Sequence, residues 1–322
     1  MTLAATGDLV AAAAAEHRAV AAFNVITLEH AEAIVEGAER AGSPVILQIS
    51  ENAVKFHHGR PVPLARAAAE AARSAGVPVA LHLDHVHSVP LLHQAAECGF
   101  SSVMFDASRL PYEENVAATR DAVLWAHQHG VWVEAELGQV GGKNGEAPLD
   151  AHAPGARTDP DEARAYVAAT GVDSLAVAVG SSHAMTTRTA HLDHGLLGRL
   201  SEALDLPLVL HGSSGVPDAE LRRAVTGGIS KINIGTALNT AMTAAVRAHL
   251  ADDPRAVDPR GYLGLGRTAM SRTVTAFIGV LEGAVAPAGS GALAGSDAPA
   301  APGAPAGSGA PAAPVVAQAR AR

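Results

Sequence analysis

A single cysteine, Cys98, in 322 residues excludes an internal disulfide and suits a reducing compartment. No segment approaches the roughly 18 uninterrupted apolar residues that a membrane span needs. The first residues are alanine-rich but carry Asp8, Glu16 and His17, so they lack the basic start and continuous apolar core of a signal peptide. A soluble, cytoplasmic protein is the expectation. Basic charge is also scarce, with 23 Lys and Arg against 32 Asp and Glu, a formal charge of -9 and no basic stripe. That balance disfavours a nucleic-acid partner, because neutralising phosphates takes clustered cations. No G-x-G-x-x-G follows the first apolar run, which argues against a dinucleotide-binding fold.

What the chain does have is core: 48% of residues are apolar and 17% charged. That composition suits one barrel of about 250 residues plus a tail. Short apolar runs recur at 21–26, 44–50, 78–84, 101–107, 131–137, 174–180, 206–213 and 229–236, eight strand candidates. Between most of them lie alanine-rich segments with helical spacing, such as Leu28 to Ala41, Pro63 to Ala75, Tyr112 to His129 and Asp159 to Thr170, several opened by Pro or Asp. Gly42, Gly76, Gly99, Gly130 and Gly171 stand where helices should stop. Alternating β and α elements counted to eight predict an α/β fold, a closed TIM (β/α)8 barrel over residues 1–285. From Ala286 to Arg322 the composition turns to Ala, Pro, Gly and Ser, with Asp297, Arg320 and Arg322 the only charges. Such a segment buries too little apolar surface to offset its ordering entropy, and disorder is expected there.

Chemistry-bearing side chains gather where the apolar runs end. Leu81-His-Leu-Asp-His85 closes one run, Ser174 to Gly180 is followed by His183, His211 and Gly212 break another, and Glu134 and Glu136 share strand parity on a fourth. Residues two apart face one side of a strand, so His82 and Asp84 point into the barrel and Leu81 and Leu83 outward. Two inward acids are costly without a cation, water or donor to meet them. His85, His183 and His211, from three separate strand ends, would hold Zn²⁺ with a coordination position left open. Most of the 16 histidines fall in loops or helices and belong to solvent or core. Asp84 suits a general acid or base beside the metal, or a partner that orients His85 or His211. The turns Gly212-Ser-Ser-Gly215 and Asn233-Ile-Gly-Thr236 follow the seventh and eighth runs. Barrels commonly bind phosphate there, which points to a phosphorylated substrate.

Seven ordered motifs resemble the class II, zinc-dependent ketose-bisphosphate aldolases. They are Ala22-Phe-Asn-Val25, Leu81 to His85, Gly99 to Ser108, Val133 to Gly138 with Gly141-Gly142, His211 to Gly215, Lys231 to Thr236 and Asp258-Pro-Arg-Gly-Tyr-Leu263, and the likeness runs from about Leu9 to Glu282. The resemblance implies a glycolytic or related carbohydrate enzyme that reversibly cleaves fructose 1,6-bisphosphate, or its tagatose epimer, into dihydroxyacetone phosphate and glyceraldehyde 3-phosphate. It implies His85, His183 and His211 as zinc ligands, Asp106 and Glu136 as acids for a second divalent position, and Asp84 as the residue that takes the proton from the C4 hydroxyl. Gly212, Ser213, Ser214, Asn233, Ile234, Gly235 and Thr236 match the loops that hold dihydroxyacetone phosphate, and Ser50 a serine near the other phosphate. A homodimer or homotetramer is implied as well.

Three positions depart from the pattern. The acid that usually follows the paired glycines is absent, since Gly142 is followed by Lys143, Asn144 and Gly145, and Glu146 is the first candidate loop acid. Ala184 stands where a glycine usually follows the second histidine, so its methyl could crowd the phosphate or a monovalent cation. Gly235 stands where fructose-type relatives often have Asp. These departures keep open an aldolase for another phosphorylated ketose or deoxy sugar acid, and a barrel that binds metal and sugar phosphate with impaired turnover. A zinc hydrolase fits the paired phosphate turns less well. A Schiff-base mechanism ranks low, because the neighbours of Lys231, on the eighth run, do not obviously desolvate it.

Overall fold

The computed structural model describes residues 3–138, 140 and 156–283. Glu146, the paired Gly141 and Gly142 and the tail from Ala286 lie outside the described residues. Eight parallel strands close into one barrel in sequence order. They are β1 (Val20–Asn24), β2 (Val45–Ser50), β3 (Val79–Val86), β4 (Ser102–Phe105), β5 (Trp132–Leu137), β6 (Ser174–Val177), β7 (Leu208–Leu210) and β8 (Ile229–Ile234). Every expected strand is present. The helices are α1 (Thr6–Ala15), α2 (Leu28–Ala41), α3 (Glu51–Phe56), α4 (Pro61–Ser74), α5 (Val89–Leu92), α6 (Ala95–Cys98), α7 (Tyr112–Gln128), α8 (Pro160–Thr170), α9 (His194–Ala203), α10 (Asp218–Thr226), α11 (Thr236–Asp252) and α12 (Pro259–Glu282). This alternation is the TIM barrel that the sequence predicts.

Strand parity sorts the core into two parts. Outward residues such as Phe23, Leu47, Leu81, Leu83, Val133 and Ile232 join the helix residues in one large apolar cluster. Inward residues Val20, Ala22, Ile46 and Ala80 form a second cluster with Val10 of α1. That helix, which the alanine-rich opening did not disclose, therefore plugs the barrel floor. Two residues further along the same strands, the inward positions become Asn24, Gln48 and His82, paired side by side across β1, β2 and β3. The barrel is thus dry at its N-terminal end and polar at its C-terminal mouth, where chemistry gathers in this fold.

Ile234 corrects one expectation. It lies inside β8, fully buried in the outer cluster, and takes no part in the mouth. Parity turns it away while Asn233 faces inward.

Candidate active site

At the mouth, a cavity of about 250 Å³ is lined by Ser50, Asp84, His85, His183, Ala184, Gly212, Ser213, Ser214, Asn233, Gly235 and Thr236. Among the described residues the predicted set therefore comes together apart from Ile234, with Asp106 and Glu136 behind the cavity wall, against the rings of His85 and His211.

Alternation alone cannot place Asp84 and His85 together, since consecutive strand residues face opposite sides. A bulge solves this. Leu83 pairs with Val103 and Val86 with Phe105, so β3 advances three residues where β4 advances two. His85 takes the strain at φ 49, in the left-handed region, and both side chains reach the cavity. β3 therefore runs on through His85, which the sequence placed just beyond the strand.

His183 arrives by a different route. It sits in the connection between β6 and α9, which packs on the turn after β7 so closely that a Cβ at Gly212 would lie 2.6 Å from the Ser182 backbone. Gly212 is also left-handed, at φ 66, so this position needs glycine on both counts. Ala184 adopts φ 59, a conformation that glycine would hold without strain. At Gly235 a Cβ would meet Asn24 Oδ1 at 2.6 Å, so an aspartate there would displace Asn24.

The three imidazoles close around one point. Ring centroids lie 5.0 Å apart for His85 and His183, 4.9 Å for His85 and His211, and 5.7 Å for His183 and His211. Their ligand nitrogens all fall within 4.8 Å of one another, the only such grouping of metal-ligating side chains among the described residues. Carboxylates orient two of the rings. His85 Nδ1 lies 3.0 Å from Asp106 Oδ2, and His211 Nε2 lies 2.8 Å from Glu134 Oε1. Each ring then keeps one nitrogen for a ligand, as metal-binding histidines commonly do. His211 Nδ1, buried and without a hydrogen-bond partner, faces Glu136 Oε2 at 3.3 Å. An open imidazole trio with such backing suits a divalent cation of the zinc type.

Lys231 overturns its expected environment. Its side chain is 0% exposed, and Nζ donates to Glu134 Oε2 at 2.8 Å and to Asn233 Oδ1 at 2.8 Å. The cation that meets Glu134 is therefore Lys231. Burial drives the Glu134 carboxyl upward, but Lys231 and His211 outweigh it and hold the group far below the ordinary range. Burial likewise disfavours a charged His211, yet the Glu134 and Glu136 carboxylates beside its two ring nitrogens lift it to about 9.

Asp84 is buried at 2% exposure. Burial pushes its carboxyl up, while His85, His82, His211 and Lys231 pull it down more strongly, leaving a net lowering. Asn24 Nδ2 donates to Asp84 Oδ2 at 3.4 Å, and Asn24 Oδ1 accepts from Gln48 Nε2 at 2.9 Å. Asp84 Oδ1 has no hydrogen-bond partner. Sequence reasoning missed Asn24 and Gln48, although an amide at the inward end of a strand was the available signal. It also missed Asn52, His87 and Asn239 on the cavity wall.

Comparison with known proteins places the chain in a family. The family model described as "Fructose-bisphosphate aldolase class-II" matches residues 4–284. The YdjI aldolase from Escherichia coli K12 is similar at 33% identity and TM-score 0.73, covering 87% of this chain and 97% of that one. A putative fructose-1,6-bisphosphate aldolase from Coccidioides immitis is similar at 28% identity and TM-score 0.77, covering 87% and 96%. The fructose-bisphosphate aldolase of Campylobacter jejuni, at 24% identity and TM-score 0.75 over 87% and 96%, shares the fold.

Proposed function

The chain belongs to the class II fructose-bisphosphate aldolase family, and on that premise we propose that it is a zinc-dependent lyase for a ketose 1,6-bisphosphate. Fructose or tagatose 1,6-bisphosphate would be cleaved into dihydroxyacetone phosphate and glyceraldehyde 3-phosphate. One observation carries the reading: three imidazoles converge within 4.8 Å beside an ionised aspartate, at a cavity also lined by the Gly212–Ser214 and Gly235–Thr236 turns.

His85, His183 and His211 would hold the cation, and Asp106 and Glu136 offer carboxylates for a second position. A divalent ion so held supplies Lewis acidity where C3–C4 cleavage leaves negative charge on the substrate. Asp84 takes the proton from the C4 hydroxyl. Its lowered pKa keeps it in the accepting form, and Asn24 fixes Oδ2 so that the unpartnered Oδ1 is left for the substrate. Gly212 to Ser214 and Gly235 to Thr236 flank the start of α11, where Ser214 Oγ accepts from the Ala237 N–H, and the helix dipole favours the phosphate of the dihydroxyacetone half. Ser50 receives the other phosphate, and Glu146 exchanges the proton at the dihydroxyacetone carbon. A homodimer or homotetramer acting in cytoplasmic sugar metabolism completes the reading.

A coupled assay on both bisphosphates tests it. EDTA should abolish turnover and Zn²⁺ restore it. Asp84→Ala should keep its zinc while kcat falls about 10²- to 10⁴-fold. A fully metal-free preparation that retained its rate would overturn the proposal, and zinc lost together with activity in Asp84→Ala would remove the role given to Asp84.

A further inference from the structure

We propose that Lys231 is a positioning residue of this site, whose buried ammonium fixes both the ring of His211 and the amide of Asn233. The inference rests on the proposed metal centre for its first half and on the proposed sugar-phosphate substrate for its second.

An ammonium only donates hydrogen bonds. Lys231 Nζ, on the inward face of β8, lies 2.8 Å from Glu134 Oε2 and 2.8 Å from Asn233 Oδ1. The first contact anchors Glu134, whose other oxygen faces His211 Nε2 at 2.8 Å. An ionised carboxylate only accepts, so Nε2 carries the hydrogen and Nδ1 is the nitrogen left to bind the ion. The second contact holds the Asn233 oxygen toward Lys231. Its Nδ2 then points the other way, buried and without a hydrogen-bond partner, in a residue that lines the cavity. One cation thus sets a coordinating nitrogen and a substrate-facing donor. Lys231, Glu134 and His211 are each 0% exposed, and no other ammonium or guanidinium is so buried among the described residues.

Lys231→Met in the full chain tests the inference by zinc affinity from chelator competition, side-chain ¹⁵N spectra of the zinc-loaded protein, and kcat and KM at saturating zinc. The native protein should bind zinc with His211 protonated at Nε2. Lys231→Met should bind it about 10- to 100-fold more weakly, lose the single His211 Nε2–H signal and show a raised KM. A lower melting temperature with zinc affinity, His211 spectrum and KM unchanged would mean a merely structural lysine and overturn the inference. Should that variant fail to fold, Lys231→Met with Glu134→Gln removes the buried Lys231–Glu134 ion pair as a unit, and the same losses are expected of it. Native protein that bound no zinc would overturn the metal reading and the His211 half together. Tight native binding with both variants unaffected would overturn this inference alone.

Discussion

His82 lies beneath Asp84 and is fully buried. Its Nδ1 is 2.7 Å from Ser102 Oγ, and that hydroxyl already donates to Thr6 Oγ1, so His82 supplies the Nδ1 hydrogen and leaves Nε2 bare. Burial first, and Lys231 second, lower its pKa to about 3. The unfolded chain, with an ordinary histidine near 6.5, takes up a proton that the folded barrel refuses. Stability from this residue is therefore complete above the unfolded value and lost as pH falls from 6.5 toward 3, at up to about 1.4 kcal/mol per pH unit. His82→Asn should flatten the pH dependence of the urea-unfolding free energy by one proton across that window, and equal slopes in both proteins would contradict the assignment. At this scale the sequence was legible where residue type and position coincided, as for Asp84, His85 and His211 at run ends. Lys231 was not legible, because its desolvation depends on Glu134, 97 residues away. The bulge at His85 escaped too, since one inserted residue leaves no mark on an apolar alternation.

Elements were easier to read than residues. Each strand announced itself as an apolar run, and α2 begins and ends at the expected Leu28 and Ala41, with Gly42 in the left-handed conformation at φ 70. Helices that break are harder to see. The β2 to β3 crossover splits into α3 and α4 at His58 and Gly59, both with positive φ, before Pro61 starts α4. At the start of α9 the local chemistry is simple: Asp193 accepts from the Leu196 N–H at 2.8 Å, and the helix buries Leu196, Leu197 and Leu200 against the barrel. Asp193→Ala leaves that N–H unmet and should cost about 1 kcal/mol. Denaturant midpoints with an unchanged m-value would measure it, and a variant as stable as its parent would show the cap to be idle.

The whole molecule divides its tasks between its two ends. The floor, where Val10 meets Val20, Ala22, Ile46 and Ala80, is apolar and serves stability. The mouth crowds Asp84, Asp106, Glu134 and Glu136 into the buried interior with Lys231 as the only lysine or arginine, among the described residues, buried beside them. Excess negative charge in a poorly solvated region weakens the barrel until a cation joins it. Binding a divalent ion to the folded state alone should then raise stability by about 2.7 kcal/mol at 100 times Kd. For a barrel of this size, at about 2 °C per kcal/mol, the melting temperature should climb about 5 °C on adding Zn²⁺ to chelator-treated protein. Mg²⁺ should do less, because imidazoles suit zinc better. His183→Ala removes one ligand and should abolish most of the rise, whereas Asp193→Ala, at a residue that does not line the cavity, should lower both curves and keep the difference between them. Scanning calorimetry of the three proteins decides the matter: an equal zinc-induced shift in His183→Ala would mean that the ion stabilises the barrel from somewhere other than its mouth.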